Sequence, residues 1–170
     1  MLDALPLPHS FESRAGHAVL RRATTAEADA VIALLADDPI SAARGDVASD
    51  ADRPAYAAAL AEILAEPSND LLVVELDGAI VGTLQLTSIP GMARQGARRL
   101  LVEAVRISSA LRSSGIGSAV MRWVGEAAAP ALGAAMVQLT SDAARTDAHR
   151  FYERLGYVGS HRGFKYAVGG

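Results

Sequence analysis

The stretch Arg112-Ser113-Ser114-Gly115-Ile116-Gly117-Ser118 holds the residue types and spacing best suited to chemistry. It follows an apolar, strand-like run at 100–107 and opens an amphipathic run at 116–128, so it is the turn between a strand and a helix. The first amides of a helix have no intrahelical acceptor and stand at the positive end of the helix dipole. Such a junction holds an anion, above all a phosphate. Gly115 and Gly117 let the main chain approach an oxygen with no side chain between, and Arg112 adds a permanent positive charge. Two common nucleotide motifs fail here. The dinucleotide fingerprint needs a third glycine where Val120 stands, and the phosphate loop needs Gly-Lys-Ser/Thr where Gly117 is followed by Ser118-Ala119.

Glu103 is the second chemical signal. It stands on the strand before the turn, two and four residues from Val105 and Ile107, and strict alternation would put it on their face of the sheet. A carboxylate among Leu101, Val105 and Ile107 is an unusual choice, because burial without a partner disfavours the charged form and raises its pKa toward the range useful for proton abstraction. The alternatives are a salt bridge to Arg98 or Arg99, and a carboxylate that binds a substrate ammonium without taking its proton.

A third segment, Asp147-Ala148-His149-Arg150-Phe151-Tyr152-Glu153-Arg154-Leu155-Gly156-Tyr157, carries a helical stripe of Ala148, Phe151, Tyr152 and Leu155. The glycine turn resembles the Arg/Gln-x-x-Gly-x-Gly/Ala signature of the GNAT superfamily of N-acetyltransferases. The third segment is similar to that superfamily's helix in which Phe-Tyr-Glu precedes a Leu-Gly-Phe/Tyr exit. The resemblance spans roughly residues 18–168 and implies an acetyl-CoA-dependent enzyme that acetylates the primary amine of a small molecule by direct attack in a ternary complex. It implies that the pyrophosphate of acetyl-CoA rests on the segment Arg112, Ser113, Ser114, Gly115, Ile116, Gly117 and Ser118. It also implies that the pantetheine arm pairs with Val105, Arg106 and Ile107, and that Tyr152 contacts the cofactor and protonates the departing thiolate. A core tyrosine and a simply paired core strand are the structural alternatives. Family members often place an acidic or histidine base where Glu103 stands. Many also carry an asparagine where this chain has Arg145, which could instead reach a CoA phosphate or Asp142. A non-catalytic acyl-CoA-binding module and a protein-modifying acetyltransferase are the competing functions.

These residues need an α/β scaffold to position them. The 170 residues suit one hydrophobic core, with 51% hydrophobic and 21% charged positions. Residues 1–16 read as a polar extension and 17–170 as a single domain. A strand at 18–22 leads to the capping box Thr24-Thr25-Ala26-Glu27, which starts a helix to about residue 36, and Asp52 and Pro54 open a second helix to about residue 65. Asp77-Gly78 joins strands 71–76 and 79–86 as a hairpin. Strand 100–107, helix 116–128 and strand 134–140 form a right-handed crossover, followed by a helix at 147–155 and a last strand at 163–168. The expected fold is a mixed, mostly antiparallel sheet with one splayed parallel pair and helices on both faces.

Net charge of −3 and a pI near 5.8 argue against nucleic acid and anionic membranes as partners. Cysteine is absent, and neither metal-ligand spacing nor an apolar run of membrane-spanning length occurs. A cytoplasmic enzyme without metal is expected, possible as a homodimer, with acetyl-CoA as co-substrate and a small amine as partner. The amine would enter past residues 37–53 and 88–98, where Asp37, Asp38, Asp46 and Asp50 could attract a cation and Arg44, Arg94 and Arg98 a carboxylate.

Overall fold

The computed structural model describes residues 2–43, 45 and 47–168. Arg44 and Asp46, both expected to border the acceptor path, lie outside the described residues. Its first strand begins inside the stretch expected to be an extension. β1 (His9–Ser13) pairs antiparallel with β2 (Gly16–Arg22), and Leu2 and Leu5 are buried against the same face of the sheet. The cause is period: Phe11 alternates with Ser10 and Glu12, so a low average hydropathy conceals one apolar side. The His9 ring stacks 6.1 Å from the Trp123 ring.

The capping box forms as its residue types require. The Thr24 side chain accepts from the Ala26 N–H, and Glu27 reaches back to the Thr24 N–H at 2.6 Å, opening a short turn that continues as α1 (Ala28–Ala36). α2 (Pro39–Ala42) and α3 (Arg53–Ala65) follow, with proline in the first turn of each, where its missing N–H is no loss. At the hairpin between β3 (Asn69–Leu76) and β4 (Ala79–Ile89), Asp77 and Gly78 take φ of 50° and 78°, the paired left-handed geometry of a type I′ turn. β5 (Arg98–Ile107), α4 (Ile116–Trp123), β6 (Ala134–Leu139) and α5 (Thr146–Arg154) complete the order.

The six strands lie in chain order, β1 to β6, antiparallel throughout except for the parallel pair β5–β6. This is the expected mixed sheet. Leu20, Leu72, Leu84, Leu86, Leu100 and Val102 form its core face with Ile116, Val120 and Met121 of α4, while α1 and α3 cover the other face through Val31, Leu60 and Val73. The strand expected at 163–168 does not form: residues 157–168 carry no helix or strand and leave Phe164, Tyr166 and Val168 exposed. A strand's hydrogen bonds come from its neighbour, and this segment has none beside it.

Candidate active site

The opening in the sheet sits beside the glycine turn. β5 and β6 pair from Arg98↔Ala134 to Val102↔Leu139 and then part, while β5 continues to Ile107 alongside β4. Residues 103–107 thus have a main-chain edge that β6 does not fill, which is where a ligand could add as a strand. Val105, Arg106 and Ile107 all lie on it, and the Val105 carbonyl already accepts from the Arg106 guanidinium at 2.8 Å.

A bulge at Ala104 decides which side chains face which way. Ala104 is left-handed at φ 49°, and Glu103 to Arg106 on β5 oppose only Gln85 to Thr83 on β4. The extra residue breaks the alternation, as bulges do. Leu100 and Val102 face the core with Val105 and Ile107, whereas Glu103 and Arg106 share the opposite face, toward α1 and α3. Glu103 is therefore not on the face of Val105 and Ile107, and it is exposed rather than buried among apolar neighbours. The expected burial of this carboxylate rested on unbroken period-two alternation and is corrected by the bulge.

Between β5 and α4 the chain makes a tight turn with Ser113 at φ 64° and Gly115 at φ 92°. The Ala119 N–H donates to the Gly115 carbonyl at 3.0 Å as the first helical bond. The amides of Ile116, Gly117 and Ser118 precede it, so the helix supplies them no acceptor. A Cβ on Gly117 would sit 3.5 Å from the Phe151 ring and 3.7 Å from Ile107. That closeness brings turn, strand and α5 together. Arg14, in the β1–β2 turn, braces the loop: its N–H donates to the Ser114 carbonyl at 2.9 Å and its guanidinium to the Ser113 carbonyl at 3.0 Å. Arg112, Ser113 and Gly115 are exposed, and Ser114, Gly117 and Ser118 half-buried, with only Ile116 in the core. The left-handed glycine, the amides before the first helical bond and the opened strand edge fit the pyrophosphate and pantetheine arm of acetyl-CoA.

Tyr152 stands on the neighbouring helix, its ring 5.1 Å from Phe151 and 5.8 Å from Tyr157. Burial pushes its hydroxyl pKa above the ordinary value, and the Arg106 and Arg145 guanidiniums only partly offset this, so it keeps its proton at neutral pH. Arg145 does not turn to a carboxylate beside it in sequence. It grips Asp38 with both terminal nitrogens, Nη1 lying 2.8 Å from Oδ1, and reaches Ser41 Oγ at 3.3 Å. Burial alone would raise the Asp38 carboxyl, but Arg145 and the Ser41 N–H hold it down at about 2. Arg106 Nη2 donates to the same Ser41 hydroxyl at 2.6 Å. Asp37 accepts from the Ser109 N–H and hydroxyl at 2.6 and 2.8 Å. The α1–α2 junction is thus stapled to β5, to the turn and to the start of α5.

The described charged residues of the expected acceptor path have partners of their own. Asp37 and Asp38 are engaged by partners inside the fold, and Asp50 pairs with Arg53 at 3.0 Å. Arg98 donates to Ser88 at 2.9 Å and Arg94 contacts the Met136 sulfur at 3.9 Å. His149 joins the Asp142 carbonyl at 2.9 Å, a contact made within the segment that leads into its own helix. Arg14 and Ser41 were invisible as site residues, because their partners lie 99 and 65 residues away. The one sequence signal that could have found Arg14 is the short apolar alternation of β1. Among the described residues no group of three or more His, Cys, Asp or Glu side chains could hold a metal, and no helix is long and apolar enough to cross a membrane.

Similarity to known proteins agrees with this geometry. Residues 29–157 match the acetyltransferase (GNAT) family. The chain is 30% identical over 149 residues to an aminoalkylphosphonate N-acetyltransferase of Salmonella typhimurium, covering 88% of this chain and 90% of that one. Its fold is similar to the crystal structure of a transcriptional regulator from Bacillus halodurans, with a TM-score of 0.84 and 38% identity over 89% of this chain and 100% of that one. It is also similar in fold to glucosamine-6-phosphate N-acetyltransferase from Arabidopsis thaliana, with a TM-score of 0.71 at 17% identity over 89% and 99% of the two chains. With the glycine turn at the head of α4, the parted strands β5 and β6, and a desolvated tyrosine on α5, the chain belongs to the acetyltransferase (GNAT) family and is an N-acetyltransferase.

Proposed function

We propose that this chain transfers the acetyl group of acetyl-CoA to the primary amine of a small molecule, by direct attack with both substrates bound. The observation that carries this reading is the coincidence of three features: β5 freed from β6 after Val102, the left-handed turn at Gly115, and a desolvated Tyr152 packed next to Phe151 over Gly117. Acetyl-CoA supplies an acyl group activated as a thioester. The amides of residues 115–118 receive its pyrophosphate, with Arg112 as the nearby cation, and the main chain of Val105, Arg106 and Ile107 receives the pantetheine arm. A main-chain N–H of the freed β5 edge steadies the charge that develops on the carbonyl oxygen.

The acceptor approaches from the α1–α3 face, where the bulge sends Glu103 and Arg106. A protonated amine is no nucleophile. The exposed Glu103 carboxylate holds the ammonium, whose proton passes to water and frees the nitrogen lone pair for the bond to carbon. As the carbon–sulfur bond breaks, the Tyr152 hydroxyl delivers its proton to the sulfur, and the second proton of the acylated nitrogen is lost to water and returns the tyrosinate to its acid form. The similarity to an aminoalkylphosphonate N-acetyltransferase makes amines bearing a phosphonate the first acceptors to try, and Arg106, on that face of β5 and bonded to Ser41, is a cation there. The reading needs a compartment supplied with acetyl-CoA, as the cytoplasm is.

Calorimetric titration with acetyl-CoA, followed by a thiol-release assay over aminoalkylphosphonates, amino acids, polyamines and aminoglycosides, tests it. Saturable binding with thiol release for at least one small amine is expected. Binding with no release across the panel, or with release only on a protein N-terminus, overturns the small-molecule reading.

A further inference from the structure

One buried hydroxyl lies where three elements of the site meet. Ser41 stands near the end of α2 and is 2% exposed. Its N–H donates to Asp38 Oδ2 at 2.8 Å, which ties it to the first residue of its own turn. A hydroxyl oxygen has two lone pairs, and both are engaged here. Arg106 Nη2 on β5 donates to it at 2.6 Å, and Arg145 Nη2, at the head of α5, at 3.3 Å.

The Arg106 guanidinium is the part of this cluster that touches the opened strand. Its other terminal nitrogen, Nη1, donates to the Val105 carbonyl at 2.8 Å. That carbonyl and the Arg106 N–H belong to one planar peptide unit, so holding the carbonyl also sets the direction of the N–H. The unit follows directly on Ala104, whose left-handed φ of 49° is costly for a residue with a Cβ and persists only where its surroundings over-determine it. An arginine side chain carries many rotamers, but its guanidinium is a rigid fork. With Nη2 fixed on Ser41, Nη1 is fixed on Val105.

We propose that Ser41 is a positioning residue of the acetyl transfer: acting through Arg106, its hydroxyl holds the Val105–Arg106 peptide unit in the orientation that receives acetyl-CoA. The proposal rests on the reading that the freed edge of β5 takes the pantetheine arm. Ser41 itself is too deeply buried to meet either substrate, so its effect passes through the guanidinium to the main chain. Alanine in its place keeps nearly the same volume and removes the acceptor, which turns the Arg106 clamp into a single-ended contact.

Calorimetric titration with acetyl-CoA tests this on the parent chain, Ser41→Ala, Ser41→Thr, Arg106→Met and the double variant Ser41→Ala/Arg106→Met. Each protein is titrated at a temperature where its melting curve shows it fully folded, so that a loss of stability alone does not move the result. Ser41→Ala should weaken binding roughly tenfold, the scale of one hydrogen bond to a charged group. Ser41→Thr keeps the hydroxyl and should bind as the parent does. Arg106→Met should weaken binding as Ser41→Ala does, and in that background the alanine should have no further effect, because its route to the strand is gone. A folded Ser41→Ala or Arg106→Met that binds acetyl-CoA as tightly as the parent overturns the proposal. So does a loss from Ser41→Ala that recurs in full on top of Arg106→Met. A parent chain that fails to bind acetyl-CoA overturns the reading of the β5 edge, and this proposal with it.

Discussion

At the scale of single residues, the site depends on which protonation state each group holds. Tyr152 is desolvated, and its pKa lies above the ordinary tyrosine value despite Arg106 and Arg145 nearby. A raised pKa keeps the acid form present through neutral pH, so a proton donor of this kind loses activity only once pH climbs past 10. Tyr152→Phe should leave acetyl-CoA affinity unchanged and lower kcat roughly 10²- to 10⁴-fold, the scale of a positioned acid. Calorimetry and steady-state kinetics on the same preparation separate the two effects, and an unchanged kcat would return Tyr152 to a packing role. Both roles were open on the Ala148–Leu155 stripe, because a helical period says which residues share a face and not what meets that face.

At the scale of elements, two junctions govern the geometry. The first is the contact of the α4 N-terminus with α5 and β5, where a Cβ on Gly117 already reaches van der Waals contact with Phe151 and Ile107. The branches of a valine need further room that a packed contact does not give. Gly117→Val should weaken acetyl-CoA binding at least roughly tenfold, a loss near 1.4 kcal/mol, with the melting transition still cooperative. A calorimetric titration reads it. The second junction is the staple of Asp38 to Arg145. Its folded pKa of about 2 lies below the ordinary 3.8, so the stabilisation is complete above pH 4 and is lost as pH falls through 2. The shift corresponds to about 2 kcal/mol. Asp38→Asn should lower stability by that order at pH 7, because Arg145 keeps a half-buried charge without its carboxylate. In urea titrations the gap to the parent protein should narrow steadily between pH 4 and 2. A gap independent of pH would show that the carboxylate is not what the pair contributes.

At the scale of the whole molecule, one sheet with helices on two faces carries every part of the site, and β5 belongs to all of it. Its Leu100 is fully buried at the centre of the larger core, two strands from β3 and beside the parted β6. Leu100→Ala should cost about 2–5 kcal/mol and lower the melting temperature, with activity falling only in proportion to the unfolded fraction at low temperature. Thermal denaturation with parallel assays checks both.

The chain's own order of residues determined whatever is decided within a few positions. Asp77-Gly78 needs only its own dihedrals to close a hairpin, Thr24 and Glu27 cap one another across three residues, and Gly115 opens a helix whose amides have no earlier carbonyl to meet. Those local facts, with the 3.6 and 2.0 periods, were enough to expect the mixed sheet, its parallel pair and the anion-binding turn. Tertiary structure alone decided the rest. The bulge at Ala104 arises from the register of β4 against β5 and moved Glu103 to the opposite face. Asp38 meets Arg145 across 107 residues and Arg14 meets Ser113 across 99, and no short-range pattern encodes partners that distant. The arm at 157–168 has a strand's alternation, but a strand exists only where another main chain lies beside it, and that depends on the packing of the finished fold.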